Sequence, residues 1–487
     1  MVGVPGRSKG CSTCRKRKKG CDKKRPICTQ CSTAGLECGG YGRKTVFLNY
    51  TQDTEANAVR VVYRAESADS GQTPGGVTDI VLSQGLAQGA YVEQYISVFL
   101  SKYLPKGRSL PTSRQCQSAN WVETAHALYP SNSAIQFSLL SLGLSAAGES
   151  QYALESYSRA LRKLQAAVCV PHRAQSDATL AACQILSLFE VFYGSEDNAL
   201  LQGSKWHSHL AGQLALIQAR SPYAYQSGAS HQFFSDGRYP LLFSALKNRQ
   251  RFPLNTPEWR TVPWEKEPKS AKDKLYDIIA DLTTILADAD EMRYCHDPAR
   301  KAILYEKVVR ACQCLHQSLQ GWLEKTGPLA DFRDGSGILA DPTGPFDFMQ
   351  AHMTLLYWTI YATLYSTLIS IHDPPLSEIP PSINPLPYIR NVANSLHYFL
   401  RPGAGLCGAD FAALPLGICW QIAYATPDLY QKENALFAQL IGQQNVRDTV
   451  LNFLRSLQRD TAGPVMATLD GFDGIILRAQ SWMMGKC

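Results

Sequence analysis

The chain has 487 residues, of which 45% are hydrophobic and 18% charged, and its formal net charge is +7. This length is sufficient for a large buried core. The first ten residues lack the apolar stretch of a secretory signal, so we expect an intracellular protein rather than a secreted, disulfide-linked one.

The first element is a cysteine-rich basic segment, residues 11–38, which holds six cysteines and eight lysines or arginines. The cysteines form two copies of the pattern Cys-x2-Cys-x6-Cys. In a reducing compartment such pairs indicate a metal site rather than disulfides. The other nine cysteines are scattered, as buried free thiols usually are. The candidate ligands are Cys11, Cys14, Cys21, Cys28, Cys31 and Cys38.

The number of thiolates constrains the metal content. A structural zinc ion takes four ligands, and no histidine lies within residues 1–44. One zinc would leave two cysteines unused and would break the internal repeat. Six thiolates can supply two zinc ions if two of them bridge. By symmetry the bridging thiolates are equivalent cysteines of the two copies, and we choose the first of each, Cys11 and Cys28.

The segment resembles the binuclear zinc cluster (Zn2Cys6) regulators of fungal transcription. The similarity comprises the six cysteines, the basic run of residues 15–19, and Asp22 with Pro26 in the loop. In that family the first and fourth cysteines bridge two zinc ions, which implies the same role for Cys11 and Cys28. Many relatives have another basic residue at Gly20, so one phosphate contact of the family is missing here.

Charge is concentrated in the same place. Residues 1–44 carry twelve basic and two acidic side chains, a formal +10, whereas the other 443 residues sum to −3. Such asymmetry is typical of a nucleic-acid-binding module. A nuclear-import signal alone would also be basic, but it would not require a metal scaffold.

The two copies differ in the residues that follow their second cysteine. RKRKKG lies between Cys14 and Cys21, and STAGLE lies between Cys31 and Cys38. We expect each to form a short helical turn, of which only the first can approach a polyanion. Zinc modules place such a turn in the major groove, where lysine or arginine binds guanine.

The family resemblance implies that CGG-type triplets are read and that the lysine three positions before the third cysteine makes the main base contact. That residue is Lys18, with Arg17 beside it. The remaining candidate DNA-binding residues are better suited to phosphates: Arg15, Lys16, Lys19, Lys23, Arg43 and Lys44.

The domain boundaries that we predict are a Zn2Cys6 module over residues 1–44, a linker over 45–86 and an all-α domain over 87–487. The linker is polar and shows no apolar heptads, so a coiled-coil dimer is not indicated there. Self-association as a homodimer would then involve the large domain.

Helical periodicity dominates after residue 87. KLYDIIADLTTILA places six apolar residues on one helix face, and Ser176 with Asp177 caps another apolar helix. Breaks fall at the proline-rich stretches SGILADPTGP and DPPLSEIPPSINPLP. Three stretches, residues 206–222, 241–259 and 408–423, resemble the helical regulatory domain that follows the zinc cluster in the fungal factors.

Other features have simpler explanations than a second site. The uncharged stretch 348–371 is long enough to span a membrane but rich in polar residues, which favours a buried helix. Cys312, Cys314 and His316 diverge on a helix and provide too few ligands. Asp288-Ala-Asp290-Glu291 lacks the second acidic motif of a diphosphate-binding enzyme, and its acidity is expected to be a surface property. No catalytic motif appears, so no enzyme is predicted.

The sequence therefore predicts a nuclear, zinc-dependent and sequence-specific DNA-binding transcription factor, a pathway-specific regulator of a fungal metabolic gene cluster. The expected partners are double-stranded DNA and the transcription machinery, with no membrane and with an effector that the sequence does not identify. The alternative is an interaction protein without target selectivity, recruited to promoters by a partner.

Overall fold

The computed structural model describes residues 10–24, 27–39, 48–53, 58–63, 79–82, 84–104, 120–194, 199–332, 345–372, 382–442, 452–454 and 456–457. The chain divides into two compact units, Met1–Tyr91 and Val92–Cys487. Among the described residues, the first unit has a buried cluster of cysteines and the second has a large apolar cluster.

The first unit begins with two five-residue helices, α1 (Ser12–Lys16) and α2 (Thr29–Thr33). Three strands follow, β1 (Leu48–Asp53), β2 (Ala58–Tyr63) and β3 (Asp79–Leu82), in an antiparallel sheet of order β1-β2-β3. Leu48 lies opposite Tyr63, and Val59 lies opposite Leu82. The segment predicted as a plain linker thus contains a sheet that we did not predict. The valine-rich AVRVVY of β2 is the signal that was available, because valine and tyrosine favour strands.

The second unit is helical throughout its described residues, in agreement with the predicted fold class. Its helices are α3 (Gln84–Tyr103, which begins in the first unit), α4 (Asn120–Leu128), α5 (Ser133–Ala147), α6 (Ser150–Val168), α7 (Pro171–Ala174), α8 (Asp177–Tyr193), α9 (Ala199–Gln218), α10 (Gly228–Lys247), α11 (Pro257–Thr261), α12 (Ala271–Arg293), α13 (Pro298–Thr326), α14 (Pro345–His372), α15 (Leu386–Leu400), α16 (Gly405–Ala425) and α17 (Gln431–Gly442). Short 3-10 turns lie at Tyr129–Ser131, Pro222–Tyr225, Val262–Trp264 and Pro402–Ala404.

The periodicity of KLYDIIADLTTILA predicted α12 correctly. The six side chains of its apolar face are at most 7% exposed: Leu275, Ile278, Ile279, Leu282, Ile285 and Leu286. The predicted cap of α8 is also confirmed, since Ser176 Oγ accepts the Thr179 N–H at 3.2 Å. The predicted breaks at the proline-rich stretches 336–345 and 373–387 lie mostly outside the described residues; α14 begins at Pro345 and α15 at Leu386.

Buried ion pairs join α10 to α12. Arg238 donates to Asp277 Oδ1 at 2.8 Å and to Asp273 Oδ1 at 2.9 Å, and its side chain is 4% exposed. The planar guanidinium suits two carboxylates at once. This clamp fixes α10 on α12 beside the large aromatic cluster.

The stretch 348–371 lies within α14, and Leu355, Leu356, Ala362 and Leu364 are buried there. A buried helix therefore explains it, as predicted. Within the described residues, one helix is long and apolar enough to cross a membrane, Pro402–Ala425, and 67% of its most apolar window is buried inside the protein.

The acidic stretch at the end of α12 needs a correction. Asp288 is 1% exposed and pairs with Arg251 and Lys307, so it is a buried, neutralised residue and not surface acidity. Asp290 pairs with Arg249. Carboxylates already bound to cations are poor candidates for a magnesium site. Cys312 is buried whereas Cys314 is exposed, which confirms that these two thiols diverge.

Candidate metal centre and nucleic-acid interface

The six predicted ligands lie together in the first unit. Their sulfur atoms form two groups of four, one of Cys11, Cys14, Cys21 and Cys28, the other of Cys11, Cys28, Cys31 and Cys38. Within each group all sulfurs lie within 4.8 Å of one another. Cys11 and Cys28 belong to both groups, which is the arrangement expected of bridging ligands.

The spacing of the sulfurs fits zinc. Cys11 Sγ lies 3.6 Å from the Sγ atoms of Cys28 and Cys31, and Cys14 Sγ lies 3.6 Å from that of Cys28, so each pair shares a group. Four thiolates around one zinc, at a Zn–S distance of about 2.3 Å, stand roughly 3.8 Å apart. A disulfide requires about 2.05 Å, so these cysteines are free thiols.

Each half of the module begins with the same local structure. Cys11 Sγ accepts the Cys14 N–H at 3.3 Å, and Cys28 Sγ accepts the Cys31 N–H at 3.4 Å. The thiol therefore acts as the helix cap, filling the role that an oxygen side chain usually has. The two sulfur atoms that belong to both groups of four thus each cap a short helix.

The two halves also end alike. Lys19 N–H donates to the Cys14 carbonyl at 3.1 Å, and Leu36 N–H donates to the Cys31 carbonyl at 3.0 Å. This closure needs a residue in the left-handed region just before the donor. Gly35 fills that position in the second half, with φ of 62°, and Lys18 fills it in the first, with φ of 53°.

The left-handed backbone at Lys18 is costly. A residue with a side chain in that region loses about 1–2 kcal/mol relative to its usual conformation, whereas glycine does not. A lysine kept at a position suited to glycine indicates that its side chain has a use of its own. The predicted helical turn is also shifted: α1 ends at Lys16, so Arg17, Lys18 and Lys19 lie in the turn that follows it.

Polar contacts close the module around the thiols. The carboxylate of Asp22 accepts the Thr29 N–H at 3.1 Å and the Thr29 hydroxyl at 2.5 Å, and the hydroxyl contact lowers the pKa of Asp22. Ser12 Oγ donates to the Gly39 carbonyl at 2.6 Å. The serine contact was not predicted, and the Ser-Thr pair after the first cysteine was its only signal.

The metal-free thiols are poor anions in this setting. Burial raises the pKa of Cys14 to about 12, and it also raises the pKa of Cys28 and Cys31. They therefore stay protonated at neutral pH unless a cation is bound. Two zinc ions would supply the opposing charge and would release these protons on binding.

The described basic side chains of the module are exposed. Lys16, Arg17, Lys18 and Lys19 are exposed, and so is Lys23. The equivalent turn of the second half, residues 32–36, carries no basic residue. The Arg15 side chain, and Arg43 and Lys44, lie outside the described residues. Between the two equivalent turns, the basic charge thus belongs to the first alone.

Two known protein families match the chain, one in each unit. The fungal Zn(2)-Cys(6) binuclear cluster domain matches residues 9–46, and the fungal specific transcription factor domain matches residues 95–252. The second match includes the stretch 206–222, whereas 408–423 lies outside it.

Two curated relatives are similar over short stretches. Pestheic acid cluster transcriptional regulator 3 of Pestalotiopsis fici is 42% identical over 67 residues, which is 13% of this chain and 12% of that protein. An uncharacterized protein of Emericella nidulans is 31% identical over 116 residues, 24% of either chain. The aligned stretches thus span about an eighth and a quarter of these relatives. No solved structure matches.

Proposed function

We propose that this chain, which carries a fungal Zn(2)-Cys(6) binuclear cluster domain followed by a fungal specific transcription factor domain, is a zinc-dependent, sequence-specific DNA-binding regulator of transcription. One observation carries the proposal. A rigid thiol cluster fixes a single exposed basic turn, and the equivalent turn of its second half is uncharged.

Two zinc ions hold the module in this proposal. Cys14 and Cys21 complete the first site, Cys31 and Cys38 complete the second, and Cys11 with Cys28 contributes to both. The two thiol groups that share this pair support the assignment. Zinc here is structural, because each site has four sulfur ligands and no open position for a substrate.

Lys18 reads the base sequence and its neighbours hold the backbone. The side chain follows a backbone turn that is closed by the Lys19 to Cys14 hydrogen bond, so its direction is set by the metal scaffold. Its ammonium group would donate to the O6 and N7 acceptors of guanine in a CGG-type triplet. Arg15, Lys16, Arg17, Lys19 and Lys23, with Arg43 and Lys44, would neutralise phosphates.

The wider role is a nuclear, pathway-specific regulator of a fungal metabolic gene cluster. The matched families and the printed name of the Pestalotiopsis fici relative, a cluster transcriptional regulator, support this assignment. The helical unit would then govern activity through the transcription machinery, through an effector or through a second copy of the chain.

A selective binder is distinguished from a recruited, non-selective protein by one comparison. The affinity of the zinc-loaded full chain is measured at a single salt concentration for a duplex with a CGG triplet and for a scrambled duplex. Since phosphate contacts alone give equal affinities, we expect a clear preference for the CGG duplex. Equal affinities across a panel of randomised duplexes would reject selective binding and favour recruitment by a partner.

The base-reading residue is tested with two lysine variants. Lys18→Ala should remove about 1–3 kcal/mol of discrimination between the specific and the wrong base pair. Lys23→Ala is the control, because it removes the same charge from another left-handed position, with φ of 61°. It should weaken binding to all duplexes about equally and should lower the salt slope by about one. An unchanged affinity ratio in Lys18→Ala would transfer the reading role to Arg17.

A further inference from the structure

A cavity of about 50 Å³ lies inside the helical unit. Half of its wall residues are aromatic, and the walls come from helices α3, α4, α8, α9, α10, α12 and α16 and from Phe453. A buried water requires about 10–15 Å³ on this scale, so the cavity has room for about four or five non-hydrogen atoms. Aromatic rings at the wall include Tyr103, Trp206, Tyr239, Tyr276 and Phe411.

Three polar side chains at the wall have unused hydrogen-bond acceptors. Asp410 is half-buried and makes no hydrogen bond or ion pair with any residue that the structure describes, and desolvation raises its pKa to about 7. Asp236 is 8% exposed; its Oδ1 pairs with Lys272, but its Oδ2 has no partner. Gln184 is 3% exposed, and its Oε1 is also without a partner.

The orientation of the Gln184 side-chain amide is fixed by the hydrogen bond that its nitrogen atom donates. Its Nε2 donates to the Phe233 carbonyl at 2.9 Å, so the oxygen is the free atom. The wall can hold this amide only because residue 237 is glycine: a Cβ at Gly237 would lie 2.2 Å from Gln184 Nε2 and 2.7 Å from Gln213 Nε2. The acceptors are thus held in place by packing.

Two prolines deprive backbone carbonyl groups near the same wall of their usual helical N–H donor. Pro415 has no N–H for the Phe411 carbonyl, and the Tyr239 hydroxyl donates to that carbonyl instead, at 3.3 Å. Pro240 likewise has no N–H for the carbonyl of Asp236. Among the described wall residues, the buried side-chain atoms without partners are all acceptors, so a ligand would have to bring donors.

The charge at the wall is also unbalanced. The negative charge of Asp236 is cancelled by Lys272, and Arg238 is occupied by Asp273 and Asp277. Asp410 in its ionised form leaves one negative charge without a counterion among the described residues. The faces of aromatic rings attract cations as well. One positive charge on a small ligand would match the site.

We propose that this cavity binds a small protonated amine of about five non-hydrogen atoms, whose ammonium group donates to Asp410, Asp236 and Gln184 and whose carbon atoms contact the aromatic wall. The site lies entirely within Val92–Cys487. It goes beyond the DNA-binding function proposed above and does not depend on it, and it would give the helical unit a ligand of defined chemistry.

The test compares three compounds of similar shape on the zinc-loaded full chain: isobutylamine, isobutanol and isobutyrate. Binding is followed by tryptophan fluorescence, since Trp121 and Trp206 lie at the wall, and by the shift in melting temperature. We expect saturable binding of isobutylamine at least tenfold tighter than that of isobutanol, and none of isobutyrate. Equal affinity for amine and alcohol would overturn the proposal.

Variants separate binding from folding. Asp410→Asn keeps the side-chain shape and should abolish the tenfold preference for the amine while the protein stays folded by circular dichroism. Asp428→Asn is the matched control, because it makes the same charge change at an exposed residue; it should bind isobutylamine like the parent. An amine preference retained in Asp410→Asn would overturn the proposed site. Gln184→Met removes the amide acceptor at the same wall and so provides a second test.

Discussion

At the scale of single residues, Lys18 is a lysine in a left-handed backbone conformation that favours glycine. Its φ of 53° lies in the region that its counterpart Gly35 occupies at 62°. The Cys-x2-Cys-x6-Cys repeat made the two positions equivalent in the sequence already. The backbone angle itself was not readable from the sequence, because it depends on the closing hydrogen bond between Lys19 and Cys14.

Lys18→Gly should therefore stabilise the module while impairing its function. Removing the left-handed strain should increase the free energy of unfolding of the zinc module by up to about 1 kcal/mol. Zinc retention against a competing chelator measures this gain. The ratio of specific to non-specific DNA affinity should fall in the same protein. A variant that loses zinc more readily than the parent would contradict the strain assignment.

Asp410 gives a second prediction at this scale, on stability against pH. Its pKa in the folded chain is about 7, above the ordinary 3.8, so between these values the unfolded chain releases a proton that the folded chain keeps. The stability that the protonated Asp410 allows is therefore fully present below pH 3.8, and this contribution is lost as the pH rises towards 7. The neighbouring Tyr103, Tyr239 and Tyr276 remain neutral there, because burial raises each pKa well above 10.

Asp410→Asn removes this pH-dependent cost. Its melting temperature relative to the parent should rise from about pH 4 to about pH 7 and then level off. The difference between the two proteins cancels the titration of all other groups, including the Asp236–Lys272 pair. Asp428→Asn, which is exposed, should show a difference that does not change with pH. A flat difference for Asp410→Asn as well would mean that the carboxyl is not desolvated in the folded protein.

At the scale of elements, periodicity predicted helices well and polar contacts between them poorly. The six buried apolar residues of α12 and the Ser176 cap of α8 follow from local spacing. The clamp between Arg238 and the acids of α12 does not, because its partners are separated by 35 and 39 residues in the chain. Ion pairs of this kind depend on helix packing, which a single sequence does not specify.

The clamp makes a testable contribution to stability. Arg238→Met leaves Asp273 and Asp277 buried with part of their charge unpaired, and should reduce the free energy of unfolding by about 3–5 kcal/mol. Arg249→Met is the control, two residues beyond the end of α10, where the side chain pairs with Asp290 of α12. Its ion pair with Asp290 is more exposed, at 30% and 22% for the two side chains, so the loss should be about 1 kcal/mol or less. Chemical denaturation of both variants measures the difference, and similar losses would contradict the role of burial.

At the scale of the whole molecule, the two units are stabilised by different means. Among the residues that the structure describes, the first unit has a cluster of six cysteines, whereas the second has one large apolar cluster. The grouping of the six thiols was predictable because their spacing is local. The sheet of residues 48–82 and the cavity were not, because both depend on contacts between distant segments of the chain.

Zinc removal should accordingly affect one unit alone. Chelation of the full chain at neutral pH should abolish DNA binding, while the helical signal in circular dichroism and the main melting transition should change little. Native mass spectrometry should show two zinc ions in the parent and none in Cys11→Ser or Cys28→Ser, since each of these thiols serves both sites. Loss of one zinc in Cys11→Ser would show that this thiol does not bridge.

The repeated half-unit has a consequence for how such a module could change its target. The offset of 17 residues relates Cys11 to Cys28 and Lys18 to Gly35, so scaffold and reading residues are separable parts of one design. Residues 32–36 form a second turn of matching backbone that carries no basic side chain. Transplanting the sequence of residues 15–19 onto it would create a module with two opposed reading turns. Duplication followed by the loss of charge in one half would be the reverse route, from two readers to a reader and a support.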